Sequence, residues 1–492
     1  MTINIDRVNK VMVNSTRNNF RSMWWTLLLL GLLVSLFIPK GRIFAQEQQP
    51  NGPIYVVQEG DTLWGIAARF GVSVDELQEI NGITDPGQLR VADQLFIPGL
   101  EGVQGIIVTE TVPLGETLRS LSRRYQVPEE TLIRLNRLTG PNDLFVGATL
   151  ILPEQESTPA PLLRGTLTPG ESVLEFAVRQ GINPWTLNKN VDEHGISGLV
   201  PGDVLLAPGG VADGPAALPE QIVDVEIDPQ AFKQGKSAAL IVSTEGDITI
   251  SGNLFSKNLN FFPDNQNRHI ALQGVHAMTE PGIYPLEIKA TDLDGSSFAY
   301  MQMVPVRAVD YPFDVPLTVD PTTIDPSVTK PEDAEWTALA TPATPDKLWN
   351  GIFKIPSPLE QAYCLESGEC WSSRYGNRRS YNGSPYLYFH TGLDVVGKTG
   401  TEIYAPADGQ VVFTGPLTVR GNSTMINHGW GVYTGYMHQS EILVKPGDIV
   451  KAGQLIGRVG GTGRVQGPHL HWEVWVGGVQ VDPLDWLEQA YP

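Results

Sequence analysis

The sequence predicts a multidomain chain: three small strand–helix–helix–strand repeats, then a β-sandwich, then a C-terminal domain that is mainly antiparallel β. Three observations predict it. A related pattern recurs three times between Tyr55 and Pro208, and short alternating apolar segments follow from Gln221 to Asp314. Turn residues are abundant throughout, with 51 glycines and 38 prolines among 492 residues. That length exceeds one hydrophobic core and corresponds to roughly three to five domains. The net charge of −20 argues against sequence-independent nucleic-acid binding, which needs clustered Lys and Arg to displace counterions from phosphates.

Residues 1–49 read as an export segment. Arg7, Lys10, Arg17 and Arg21 precede an apolar run from Met23 to Ile38, and Ile43-Phe44-Ala45 offers a cleavage site before Gln46. The run is short for a span of roughly 20 residues. Retention as a membrane anchor is the alternative, and membrane contact is expected only through this segment if it stays uncleaved. Either way the rest of the chain is expected to act outside the cytoplasm, secreted or associated with the cell envelope.

The first repeat, 54–99, opens with Tyr55-Val56-Val57 and a Gly60-Asp61 turn. Asp61 or Thr62 can cap a helix carrying Leu63, Ile66, Ala67 and Phe70, ended by Gly71. Val74, Leu77 and Ile80 give a second helix ending at Asn81-Gly82, and Gln94 to Ile97 gives the closing strand. The order recurs in 106–154 and, more faintly, in 162–209, where strand alternation is weaker and Trp185 is new. The first copy resembles a LysM module along its whole length, and the second a slightly altered one. The resemblance implies a βααβ fold binding N-acetylglucosamine-containing glycan between two loops: Gly60, Asp61, Thr62 and Leu63 on one side, Asn81, Gly82 and Ile83 on the other. Taken singly, Gly60, Asp61 and Asn81 read equally as turn and cap residues. The third copy can be purely structural.

Residues 220–314 alternate as strands with turns at short spacing, which predicts a small β-sandwich. The arrangement is similar to the immunoglobulin-like domains that precede the catalytic unit in some cell-wall peptidases. His269 and His276 read as ordinary surface or packed histidines. Residues 315–350 are rich in Pro and Thr with little periodicity and read as linker. Cys364 and Cys370, the only cysteines, are close enough along the chain to pair in an exported protein. A two-cysteine zinc half-site is the competing reading; its spacing is wider than usual and no second ligand pair lies nearby.

Residues 351–490 carry five of the eight histidines. His390-Thr391-Gly392-Leu393-Asp394 places an imidazole and a carboxylate four residues apart; a straight strand would separate them by about 13 Å, so Gly392 is expected to bend the chain. His469-Leu470-His471 alternates like a strand, so both imidazoles share a face. Spacing alone leaves open whether both bind a metal or one binds and the other acts. With Tyr436-Met437-His438, these fragments resemble the lysostaphin and LytM type of zinc peptidase over roughly Phe353 to Trp486. The resemblance implies one Zn²⁺ held by His390, Asp394 and His471, with His438 and His469 as catalytic histidines, in a LytM-type peptidase domain. His428 reads as a structural hydrogen-bonding residue. The implied function is an endopeptidase acting on the peptide part of peptidoglycan, with the glycan as ligand of the repeats. The alternative is a non-catalytic wall protein that has lost zinc and activates other hydrolases; the five groups are all present here. Which peptidoglycan bond is cut, which histidine is the base and the oligomeric state stay open at this level.

Overall fold

The structure is a computed structural model. It describes residues 52–492 apart from 101–102, 104, 155–161, 169, 188–198, 200–202, 209–213, 294, 296 and 359–369. The expected export segment therefore lies outside the described residues, as does Cys364; Cys370 is disulfide-bonded. Among the described residues no helix is long and apolar enough to cross a membrane.

The first repeat folds as strand Ile54–Val56, helix Leu63–Phe70, helix Val74–Asn81 and strand Gln94–Phe96. Its helices start and stop where their chemistry says. Thr62 and Ser73 accept hydrogen bonds from the backbone amides of Gly65 and Glu76, and Gly71 and Gly82 close each helix in the left-handed region. The second copy runs Ile106–Thr111, Leu118–Tyr125, Glu129–Asn136, Thr149–Pro153, and the third Leu162–Thr166, Val173–Arg179, Pro184–Leu187, Val204–Pro208. Equivalent positions fall 55 residues apart, as in Leu77, Leu132 and Leu187, each buried in its module's core. An acid before the first helix pairs with an arginine near its end in every copy: Asp61 with Arg69 at 3.0 Å, Glu116 with Arg124 at 2.6 Å, Glu171 with Arg179 at 2.7 Å. The first two copies join edge to edge, because Ile54–Val56 pairs in parallel with Ile106–Thr111 and makes one four-stranded sheet.

Residues 222–307 form two facing sheets. In one, the order is Lys257–Leu259, Ile248–Leu254, Gly282–Asp292, Ser297–Arg307, Phe232–Lys233; in the other, Phe262–Pro263, Arg268–Gly274, Ser237–Thr244, Ile222–Asp228. Leu240, Val242, Leu286, Ile288 and Val304 fill the space between them. Strand Ser237–Thr244 is buried on both faces. Its other side, with Ala239 and Ile241, joins Ile270 and Leu272 in a core shared with Trp430, Val476, Val481 and Trp486 of the C-terminal domain. Lys236 bonds Asp482 at 2.8 Å and Asp485 at 2.7 Å across the same interface.

The segment expected to be linker is instead a packed strap. It contains the 14-residue helix Pro326–Leu339, capped by Asp325 with Pro326 in the first turn. Trp336 on that helix is fully buried against Met425, Tyr433, Met437 and Trp475. Burying one large side chain contributes on the order of 1.5–3 kcal/mol, and Glu332 adds hydrogen bonds from the Val419 and Arg420 amides. One inward tryptophan gives no apolar period, which is why the segment reads as linker.

The C-terminal domain is built on an antiparallel sheet in the order Trp371–Ser373, Leu393–Val396, His469–Val476, Val432–Met437, Gly421–Gly429, Gly409–Leu417, Ile449–Val450. A three-stranded sheet, Glu402–Tyr404, Leu455–Val459 and Gln439–Ile442, lies beside it.

Candidate metal centre and cleft

Sheet register assembles the site. Asp394 sits directly opposite His471, and His471 opposite Met437, the residue before His438. Three neighbouring strands thus deliver Asp394, His471 and His438 to one edge. The chain bends at Gly392, as expected, and brings His390 over Asp394. Room is what the glycine supplies in addition: a Cβ there would lie 2.4 Å from the Trp472 carbonyl and 2.8 Å from the His471 ring.

His390 Nε2, Asp394 Oδ1 and His471 Nδ1 converge, at 2.9 Å between His390 and each partner and 2.8 Å between His471 and Asp394. The far side of each imidazole is anchored. His390 Nδ1 donates to the Arg374 carbonyl at 2.9 Å, and His471 Nε2 faces the Glu473 carboxylate at 3.4 Å. With the opposite nitrogens engaged, His390 Nε2 and His471 Nδ1 both face the Asp394 carboxylate. Two imidazole nitrogens and a carboxylate oxygen gathered this closely in a buried site could hold a cation, and this ligand set suits a divalent metal. Burial opposes protonation of His471, but Asp394 and Glu473 outweigh it and raise its pKa, so the pocket favours positive charge at this point. Burial, reinforced by Arg379, pushes His390 down to about 4 and keeps it neutral.

The supporting residues are themselves fixed by hydrogen bonds. Glu473 is fully buried; its carboxylate accepts from Thr391 Oγ1 at 2.7 Å, Gln480 Nε2 at 2.9 Å, Trp475 Nε1 at 2.8 Å and Trp336 Nε1 at 2.9 Å. Burial works against its charge, yet His471, Arg420 and Thr391 hold its pKa at about 2. Arg379 donates to Asp394 Oδ2 at 3.0 Å and is itself held by Asp314, just before the strap, at 3.3 Å.

His438 and His469 stand beside this cluster with ring centroids 5.0 Å apart. Each donates through Nδ1 to a carbonyl, Thr462 at 2.8 Å and Gly467 at 2.9 Å, which turns Nε2 into the acceptor. The His469 Nε2 lies 3.5 Å from Asp394 Oδ1. His438 has φ 65°, a strained value for a non-glycine residue that places its ring; burial and the neighbouring His469 and His471 keep its pKa well below the usual histidine value. His428 is apart, bonded to the Asp408 carbonyl and Thr434 Oγ1, both at 2.8 Å.

The cluster opens into a cleft of about 950 Å³. Its walls come from the strap (Leu317, Ile324), the sandwich (His276, Met278) and the loop before His469.

Residues 388–483 match the family model described as Peptidase family M23, and residues 55–98 and 111–153 match the LysM domain. The C-terminal domain is an M23 peptidase domain. Peptidoglycan DD-endopeptidase ShyA of Vibrio cholerae is 41% identical over 25% of this chain and 29% of its own length. DD-carboxypeptidase/endopeptidase Mpg of Neisseria meningitidis is 40% identical over 23% of this chain and 26% of its own. The chain thus spans less than a third of the length of the curated relatives it matches. Among solved structures, the catalytic domain of the prophage-encoded M23 protein EnpA from Enterococcus faecalis is 38% identical over 23% of this chain and 87% of that chain, with a TM-score of 0.21.

Within the M23 domain the five residues singled out by sequence come together. Glu473 and Arg379 were given no role, although the alternation His469, His471, Glu473 puts the carboxylate on the same strand face. Trp336 carries no signal, lying in the supposed linker, and Asp314 is the last residue of the expected sandwich. In the first LysM module the expected glycan-binding side chains are engaged internally. Asp61 accepts from Tyr55 OH at 2.7 Å and the Gln58 amide at 2.9 Å, Thr62 caps a helix and Leu63 is core. Asn81 ties its helix to Phe96, Gly82 is a left-handed cap and Ile83 packs on the core, so the backbone at Gly60 and in the two loops is what remains for a ligand.

Proposed function

We propose that this chain is a zinc endopeptidase hydrolysing peptide bonds of peptidoglycan, with His390, Asp394 and His471 holding one Zn²⁺ and with the LysM modules binding wall glycan. The carrying observation is the convergence of three buried ligand atoms, one carboxylate oxygen and two imidazole nitrogens, with both imidazoles fixed from behind. Three protein ligands leave a coordination position open, and zinc there would supply Lewis-acid polarisation of a carbonyl and a water of lowered pKa. The chain's own residues do the rest. His438 and His469, with Nε2 free as acceptors, take a proton from the attacking water and return it to the leaving amine. Arg379 and Glu473 keep Asp394 and His471 in place as ligands.

The names of the relatives, DD-endopeptidases, favour cross-links between stem peptides over glycine bridges as the bond cut. We read the sandwich as immunoglobulin-like, because its sheet orders correspond to ABED on one side and CFG on the other with short added strands. The third repeat keeps the LysM order and its acid–arginine pair, and we assign it a structural role. Action outside the cytoplasm, by secretion or envelope attachment, follows from the substrate.

Metal analysis of the purified chain, paired with digestion of isolated peptidoglycan, tests the reading. The expected result is one zinc per chain and release of new amino termini, both lost in His471→Ala. A zinc-loaded protein that releases none, with His471→Ala indistinguishable from it, overturns the reading.

A further inference from the structure

Arg464 lies in the loop before His469 and lines the cleft. Its guanidinium stands 4.5 Å over the Tyr381 ring, and Nη1 donates to the Thr323 carbonyl of the strap at 3.0 Å. Those two contacts fix its plane without neutralising it. The other arginines of this corner are matched: Arg379 with Asp314 and Asp394, Arg420 with Glu332 and Asp333. Among the described residues no carboxylate pairs with Arg464. Burial works most against its charge; Tyr381 and, more weakly, Asp333 favour the charge, while Arg379 and Arg420 oppose it. An oriented cation with several unused N–H donors is placed to receive an anion from outside.

We propose that Arg464 binds a carboxylate of the substrate peptide and so selects acidic stem peptides for the M23 cleft. The inference rests on the peptidoglycan reading above and names the group of the substrate that is recognised. A planar guanidinium held on one edge and one face presents its remaining edge for a bidentate carboxylate, which an amide cannot match. Discrimination between free-acid and amidated peptides follows.

The test uses the full zinc-loaded chain and a stem tetrapeptide released from peptidoglycan, as the free acid and with its carboxylates converted to amides. Binding is read by calorimetry, and cleavage of the corresponding cross-linked dimers is read separately. Wild type is expected to bind the acid about 10- to 100-fold more tightly than the amide, the range for a charged hydrogen-bonded contact. Arg464→Gln should remove that preference and Arg464→Lys keep part of it, with thermal unfolding checking that each variant folds. Arg464→Gln weakening both peptides equally, or binding the acid as wild type does, overturns the proposal. Acid preference that depends on Arg464 without cleavage of either dimer leaves the carboxylate site standing and removes the peptidase reading instead.

Discussion

At the scale of single residues, each histidine of the site is held through one nitrogen so that the other is available. Carbonyls anchor His390, His438 and His469, and a carboxylate anchors His471. Spacing makes the candidate residues legible in the sequence, as an H-x-x-x-D pair and an H-x-H strand, whereas the choice of His471 over His469 as ligand comes from the family resemblance. It does not show the anchors, because backbone carbonyls have no letter of their own. His428 has the same construction without the open side. Burial pushes its pKa from 6.5 to about 4. The unfolded chain therefore takes up a proton in the interval where the folded chain does not, so its contribution is complete above about pH 6.5 and declines towards pH 4 by on the order of 3 kcal/mol. Denaturant midpoints measured from pH 7 to 4 in excess zinc should show this decline, and His428→Asn should flatten it.

At the scale of elements, the strap matters most for the site and was least legible. Its helix sends Trp336 to Glu473 behind His471, and its Glu332 accepts from the Arg420 amide, while the Arg420 carbonyl accepts from the His438 amide at 3.0 Å. Asp314, immediately before it, positions Arg379 behind Asp394. Trp336→Phe keeps most of the apolar contact and deletes one donor to Glu473. Expected are a lower melting temperature and zinc affinity weakened by up to about tenfold, measured by chelator competition. Unchanged affinity would mean that the strap braces the fold alone. The LysM helices, by contrast, are readable because Thr62, Gly71 and Gly82 mark their ends.

At the scale of the whole molecule, the sandwich and the M23 domain share one core. The sequence carried a hint in Ser237–Thr244, an apolar run without alternation, which is the mark of a strand covered on both sides. It could not say what lay on the second side, because contact partners far apart in sequence leave no local trace. Residues 351–492 alone should expose Trp430 and Trp486, melt lower and aggregate sooner than residues 215–492. Calorimetry of the longer piece should give a single transition for the two units, and two separate transitions would mean that the interface contributes little.

The parallel pairing of Ile54–Val56 with Ile106–Thr111 has a kinetic consequence. If both LysM grooves take glycan, their separation is set by a hydrogen-bonded sheet and does not vary as it would on a flexible tether. A strand that slips from one groove is still held at a fixed distance from it, so rebinding competes well with escape and residence on the wall lengthens without either groove binding more tightly.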